Sequence, residues 1–407
     1  MKIQHSILAV GLAFFINPVF AQYTNVDVET VRYFAVHKVD YGGKNHWDVA
    51  HPQTFHQAGI DEILEKLGTK GTPERLLAVA YTFSYLRFPI ENTKESIRKM
   101  LQLSVENDIP VILHLDGVNW WGFRPDLWNF WEKSAAGYHP DNIKNVERYG
   151  WEMETAVKIG WRNWGAQIRV NPAPNLAAPA FLEAQREALH HLLPLIADWY
   201  DRLPKNKKYL FGGIVFGWEL TTFTQAYYYE GGNDFLYSNP VNDPKGGVEN
   251  SIALGYAAAS TLGLQTDGVI TEETQDAVCT FYLNFLIDIA LEHGINPRKI
   301  ITHAMRGGNP GKGGGQSGMA SINARVEGVI PGWSWYDADL DWIDSSLLSK
   351  LKKEEWAAIE VKPWGLSAQI LNELFALKGC RYINIFNWES IRDDEKTINA
   401  IKTVLDW

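Results

Sequence analysis

Short apolar runs along the chain alternate with longer stretches in which apolar residues recur at helical spacing. The runs predict strands at Val31–Val39, Arg75–Tyr85, Pro110–Leu115, Tyr209–Thr221, Lys299–Met305, Gly328–Tyr336, Trp356–Val361 and Arg381–Phe386. Helical spacing predicts helices at Gly59–Gly68, Asn92–Asn107 (with an Asn cap), Ala180–Arg202, Thr274–His293, Ser345–Lys353, Leu366–Lys378 and Asp393–Leu405. Strands alternating with helices imply a parallel sheet. Their number and the chain length favour a single closed (β/α)8 TIM barrel with long, aromatic-rich βα loops over an open doubly wound sheet. No dinucleotide fingerprint follows the first strand. Two stretches fit the alternation less well. No convincing helix lies between the fifth and sixth strands, and Phe123–Pro179 is a long excursion in which Trp161–Val170 has strand character.

The stretch Tyr209–Thr221, YLFGGIVFGWELT, carries the first chemical signal. Strict alternation puts Phe211, Gly213, Val215, Gly217 and Glu219 on one face and Leu210, Gly212, Ile214, Phe216 and Trp218 on the other. The small face should point into a barrel and carry Glu219 to the carboxyl-end rim, where barrel enzymes do their chemistry. A second glutamate, Glu360, closes the seventh strand (WAAIEV) in the same way. Two carboxylates across a rim suit glycoside hydrolysis, in which one must be protonated and the other ionised. Glu389, after the eighth strand, competes with Glu360. Phase argues against it, because polar Asn384 should point inward and Trp388 shares that face.

Composition narrows the partner. Of 407 residues, 17 are Trp and 17 Tyr, enough to supply sugar-stacking platforms besides a core. A net charge of −10 argues against nucleic acid. Residues 1–21 read as a secretory signal with a small-residue cleavage site at Val19-Phe20-Ala21, so residues 22–407 are expected as one exported, periplasmic or extracellular barrel domain without membrane insertion. Cys279 and Cys380 are expected as buried thiols. No cofactor or metal is expected; the histidines form no metal-ligand motif, and a calcium site in Gly232–Asp243 is only weakly signalled. The glycine-rich Gly307–Gly318 lacks the Gly-Lys-Ser/Thr of a phosphate loop and reads as a rim loop. There is no Gly-x-Ser-x-Gly elbow for an esterase.

Glutamates closing strands four and seven, with a tryptophan closing strand eight, resemble the pattern of the clan A barrel glycoside hydrolases. The resemblance covers nearly the whole mature chain as a set of strand ends. It implies a retaining mechanism with Glu219 as acid/base, Glu360 as nucleophile and Trp388 as a platform under the sugar. Where that clan places Asn before the acid/base, this chain has Trp218. The remaining candidates for a carbohydrate substrate are His37, His114, Asp116, Asn119, Trp120, Trp218, His303, Trp333, Trp335 and Trp364. Two alternatives stand beside this reading: an inverting hydrolase using Glu219 and Asp116, and a non-catalytic carbohydrate-binding barrel. The sugar, its linkage and the oligomeric state stay open.

Overall fold

The computed structural model describes residues 23, 26–39, 56–119, 121–158, 160–163, 167–222, 253–305, 318–324, 326–335, 351, 355–363 and 365–406. Eight parallel strands close into a barrel: β1 (Arg32–His37), β2 (Arg75–Ser84), β3 (Val111–Asp116), β4 (Phe211–Leu220), β5 (Ile300–Ala304), β6 (Gly332–Trp335), β7 (Trp356–Val361) and β8 (Cys380–Phe386). β1 pairs with both β2 and β8, which closes the ring. A two-residue strand, Gly71–Thr72, pairs antiparallel at the start of β2. The chain is thus a single (β/α)8 TIM barrel, as the alternation predicts.

The helices pack outside. Those longer than a single turn are α1 (Gln57–Leu67), α2 (Ile90–Asn107), α3 (Pro179–Arg202), α4 (Tyr256–Leu262), α5 (Glu272–Glu292), α6 (Gly318–Asn323), α7 (Ala368–Ala376) and α8 (Glu395–Leu405). Local chemistry sets several starts. Pro stands in the first turn of α3, Thr271 accepts from Thr274 N–H to cap α5, and Ser367 and Asp394 cap α7 and α8. α2 begins at Ile90, so Asn92 lies in its first turn and is not the cap. Short α6 fills the gap between β5 and β6 that showed no helical pattern in the sequence. Within the long excursion, Gly160–Asn163 and Gln167–Val170 form an antiparallel hairpin. The expected helix Ser345–Lys353 and most of Gly307–Gly318 lie outside the described residues.

Two apolar cores result. The larger lies between strands and helices and takes Phe34, Val36, Val79, Phe83, Ile214 and Phe216 from the outward faces of the strands. The smaller lies inside the barrel, around Tyr33, Ala35, Ile112, Val215, Ile301, Ile359 and Tyr382. At its amino end Tyr33 and Tyr382 stack with ring centroids 5.2 Å apart, and their hydroxyls donate to Tyr209 O (3.0 Å) and Gly212 O (2.7 Å). Lys299 is buried beside them and donates to Phe211 O; burial pushes its ammonium down to about 7. Arg381 closes this end by donating to the carbonyls of Val28 and Glu29, which ties the segment before β1 under the barrel. Cys279 and Cys380 are buried, unbridged thiols.

Candidate active site

The opposite, carboxyl end of the barrel is polar all round. Every strand sends at least one polar side chain there: His37 (β1), Thr82 (β2), His114 (β3), Trp218 and Glu219 (β4), His303 (β5), Ser334 (β6), Glu360 (β7) and Asn384 (β8). His37 Nε2 pairs with Thr82 Oγ1 at 3.0 Å and His37 Nδ1 with Asn384 at 3.2 Å. Asn384 also donates to Ile359 O, so it points inward as its phase predicts. The three histidine rings run across the floor, with His37–His114 centroids 4.6 Å apart and His114–His303 centroids 6.4 Å apart. Burial lowers all three imidazoles, His114 to about 3, so the floor is neutral near pH 7.

The two glutamates stand above this floor, and neither arrives by plain alternation. In β7, Ala357 and Ile359 face the interior while Trp356, Ala358 and Val361 face the helices. Strict period two would send Glu360 outward with Ala358. Instead β7 shifts register against β6 between Ala358 and Glu360, and Glu360 pairs opposite Ser334 on the inner side. In β4, the five residues from Phe216 to Leu220 run against three of β5, from Thr302 to Ala304. Gly217 takes a left-handed φ of 77°, and a Cβ there would press on His303 O and Leu283. Glu219 itself sits at φ 47°, a sparsely populated conformation for a residue with a side chain. This irregularity brings both Trp218 and Glu219 to the mouth. The expectation that Trp218 shares the outward face with Phe216 is therefore corrected. Phe211 is corrected too: a register shift after it leaves it in the outer core.

The bulges connect the carboxylates. Trp218 Nε1–H donates to Glu360 Oε2 at 2.9 Å, and His303 Nε2 stands 3.9 Å from the same oxygen. His303 Nε2 also meets Ser334 Oγ at 2.8 Å, and Ser334 Oγ donates to Glu219 Oε1 at 2.9 Å. Glu360 is buried and Glu219 half-buried, so their environments differ. Asn119 donates to Trp218 O at 3.1 Å and braces the bulge from β3. Asp116 is buried and uses Oδ1 to accept the N–H groups of Val118 and Asn119, which holds the turn after β3.

Other candidates fall elsewhere. Trp388, expected as a sugar platform, is wholly buried on the helix side and donates its indole N–H to Glu62 on α1. The chain turns outward after Phe386, and Phe386 packs its ring against His37 and Trp218 at the mouth in its place. Trp333 and Trp335, expected in the cleft, are buried in the outer core; the strand phase that turns them outward turns Ser334 inward. Glu389 takes an ion pair with buried Lys38 at 3.1 Å and accepts Val39 N–H at 3.0 Å, away from Glu219. Trp120, Trp364, the Gly232–Asp243 loop and the aromatic loop beyond Thr222 lie outside the described residues. Among the described residues, no cluster of His, Cys, Asp or Glu is arranged to hold a metal ion, and no helix is long and apolar enough to cross a membrane. Sequence reasoning missed Ser334 and Phe386. The signal for Ser334 was its place as the lone polar residue between two tryptophans in GWSW.

No protein-family model and no curated protein matches the chain. Among solved structures, it is similar to GH26A from Muricauda sp. MAR_2010_75, at 10% identity and a TM-score of 0.43, over 91% of this chain and 89% of that one. It is similar to the virulence factor SghA from Agrobacterium tumefaciens at 8% identity and a TM-score of 0.43, over 93% of this chain and 97% of that one. A β-glucosidase from Thermotoga maritima stands at 9% identity and a TM-score of 0.43, over 92% of this chain and 98% of that one. These likenesses concern the fold, a (β/α)8 barrel.

Proposed function

We propose that the protein is an exported glycoside hydrolase that cleaves poly- or oligosaccharides by a retaining double displacement. The observation that carries the reading is the pair of glutamates at the carboxyl-end mouth, in unlike surroundings and joined through Ser334 and His303. Glu360, which receives the Trp218 N–H, is the nucleophile. Its carboxylate forms a bond to the anomeric carbon while the bond to the leaving oxygen breaks, and Glu219 gives that oxygen its proton. In the second half Glu219 takes a proton from water, the water oxygen bonds to the anomeric carbon, and the ester to Glu360 breaks. The neutral histidines and Asn384 are the polar floor beneath the sugar. The inverting alternative is disfavoured because Asp116 is engaged in its own turn.

The test is a panel of glycans with wild type, Glu219→Ala and Glu360→Ala. Wild type is expected to release sugar. Each variant should lose at least about a thousandfold in kcat while keeping the wild-type melting temperature. Proton NMR of the first product should show the substrate's anomeric configuration. Inverted product would replace the nucleophile role of Glu360, and near-normal turnover in a variant would remove that glutamate from the mechanism.

A further inference from the structure

The chain Glu219–Ser334–His303–Glu360 has a direction. His303 is buried, and its Nδ1 has no partner among the described residues. A buried N–H without an acceptor is costlier than a bare lone pair, so the hydrogen is assigned to Nε2. From there it points to Ser334 Oγ at 2.8 Å, with Glu360 Oε2 at 3.9 Å on the same side. Ser334 Oγ, having accepted from His303, can donate only onward, to Glu219 Oε1 at 2.9 Å. The titratable groups of the described residues that face this chain are Glu360 on β7, His114 on β3 and, behind it, His37 on β1.

We propose that Ser334 is a positioning residue for proton transfer: held by His303, it donates to Glu219 Oε1 and so keeps the acid's proton on Oε2. This rests on the reading of Glu219 as acid/base. An oxygen that accepts from Ser334 is the carbonyl-like oxygen of a protonated carboxyl, which leaves Oε2 as the O–H. Once the proton has gone to the leaving group, the same hydrogen bond stabilises the Glu219 carboxylate that must act as base. One serine thereby serves both half-reactions without taking up a proton. The ionised Glu360 near Nε2 biases His303 to the tautomer that orients Ser334, so the nucleophile's charge helps set the acid's proton.

The experiment is a carbon-13 titration of the glutamate carboxyls in wild type, Ser334→Ala and Ser334→Cys, with Glu219→Gln assigning the Glu219 signal. Cysteine nearly keeps the volume but donates weakly. In both variants the Glu219 carboxyl should titrate about one pH unit higher than in wild type, with Glu360 moved less. Where a glycan is cleaved, the basic limb of kcat/KM should move up with Glu219 and the acidic limb stay. An unmoved or lowered Glu219 titration overturns the proposal, as does an equal shift of both limbs. If instead no glycan is cleaved, or Glu219→Ala stays active, the hydrolase reading fails while the carboxyl titration still decides whether Ser334 governs Glu219.

Discussion

Trp218 serves the site with both ends of its side chain. The indole N–H goes to Glu360, and the ring packs against Phe386 and His37. Phenylalanine would keep much of the packing and lose the donor. A hydrogen bond to a charged group contributes about 1.5–3 kcal/mol, so Trp218→Phe should lower kcat/KM roughly ten- to a hundredfold on a cleaved glycan, with little change in melting temperature. Unchanged turnover would show that the N–H to Glu360 does not matter to the reaction. The residues at this site were only partly legible in the sequence. Strand ends named Glu219, Glu360 and the three histidines, because a polar residue closing an apolar run has few other places to go. Alternation misplaced Trp218, and the register shift that turns Glu360 inward cannot be read from period two. Trp388 misled because a strand end followed by an outward turn looks the same in sequence as one that lines the mouth.

Among the elements, the strands were the most legible. β7 begins and ends where its apolar run does, since a buried parallel strand must be apolar on both faces. α4 was missed, because its seven residues are too few to show a helical period. What secures α4 is distant in sequence. Glu147 is buried and accepts the N–H groups of Gly255 and Ala257 on Oε2 and Ala258 on Oε1. Burial pushes its carboxyl up to about 7 even though these backbone groups and that of Arg148 pull it down. Glu147→Gln would turn an amide N–H₂ against at least one backbone donor. The variant should lose about 1–3 kcal/mol in urea unfolding, the cost of a buried polar group left unsatisfied. Equal or greater stability would mean that relief from burying the carboxyl outweighs the lost acceptor.

For the molecule as a whole, the neutral histidine floor sets an acid limit. His37, His114 and His303 are held below the ordinary imidazole value of 6.5, and the unfolded chain is not. As pH falls through about 6.5, the unfolded state gains protons that the folded state refuses. Stability is therefore full above that value and declines as pH drops toward the folded values. Between pH 6.5 and 5 the urea midpoint should fall, the three rings outweighing the single buried carboxyl of Glu147, which at about 7 works the other way; a flat or rising midpoint in Glu147→Gln would mean that these rings accept protons in place. The ring closure between β1 and β8 reaches further, into how the protein is made. Phe34 pairs with Ile383, so the first barrel strand waits for the eighth, far along the chain. A nascent or truncated chain lacking β8 has two raw sheet edges, on β1 and β7, each able to take up a foreign strand. A chain cut before β8 would thus stay a sticky open sheet, and adding that strand closes the barrel in one long-range step.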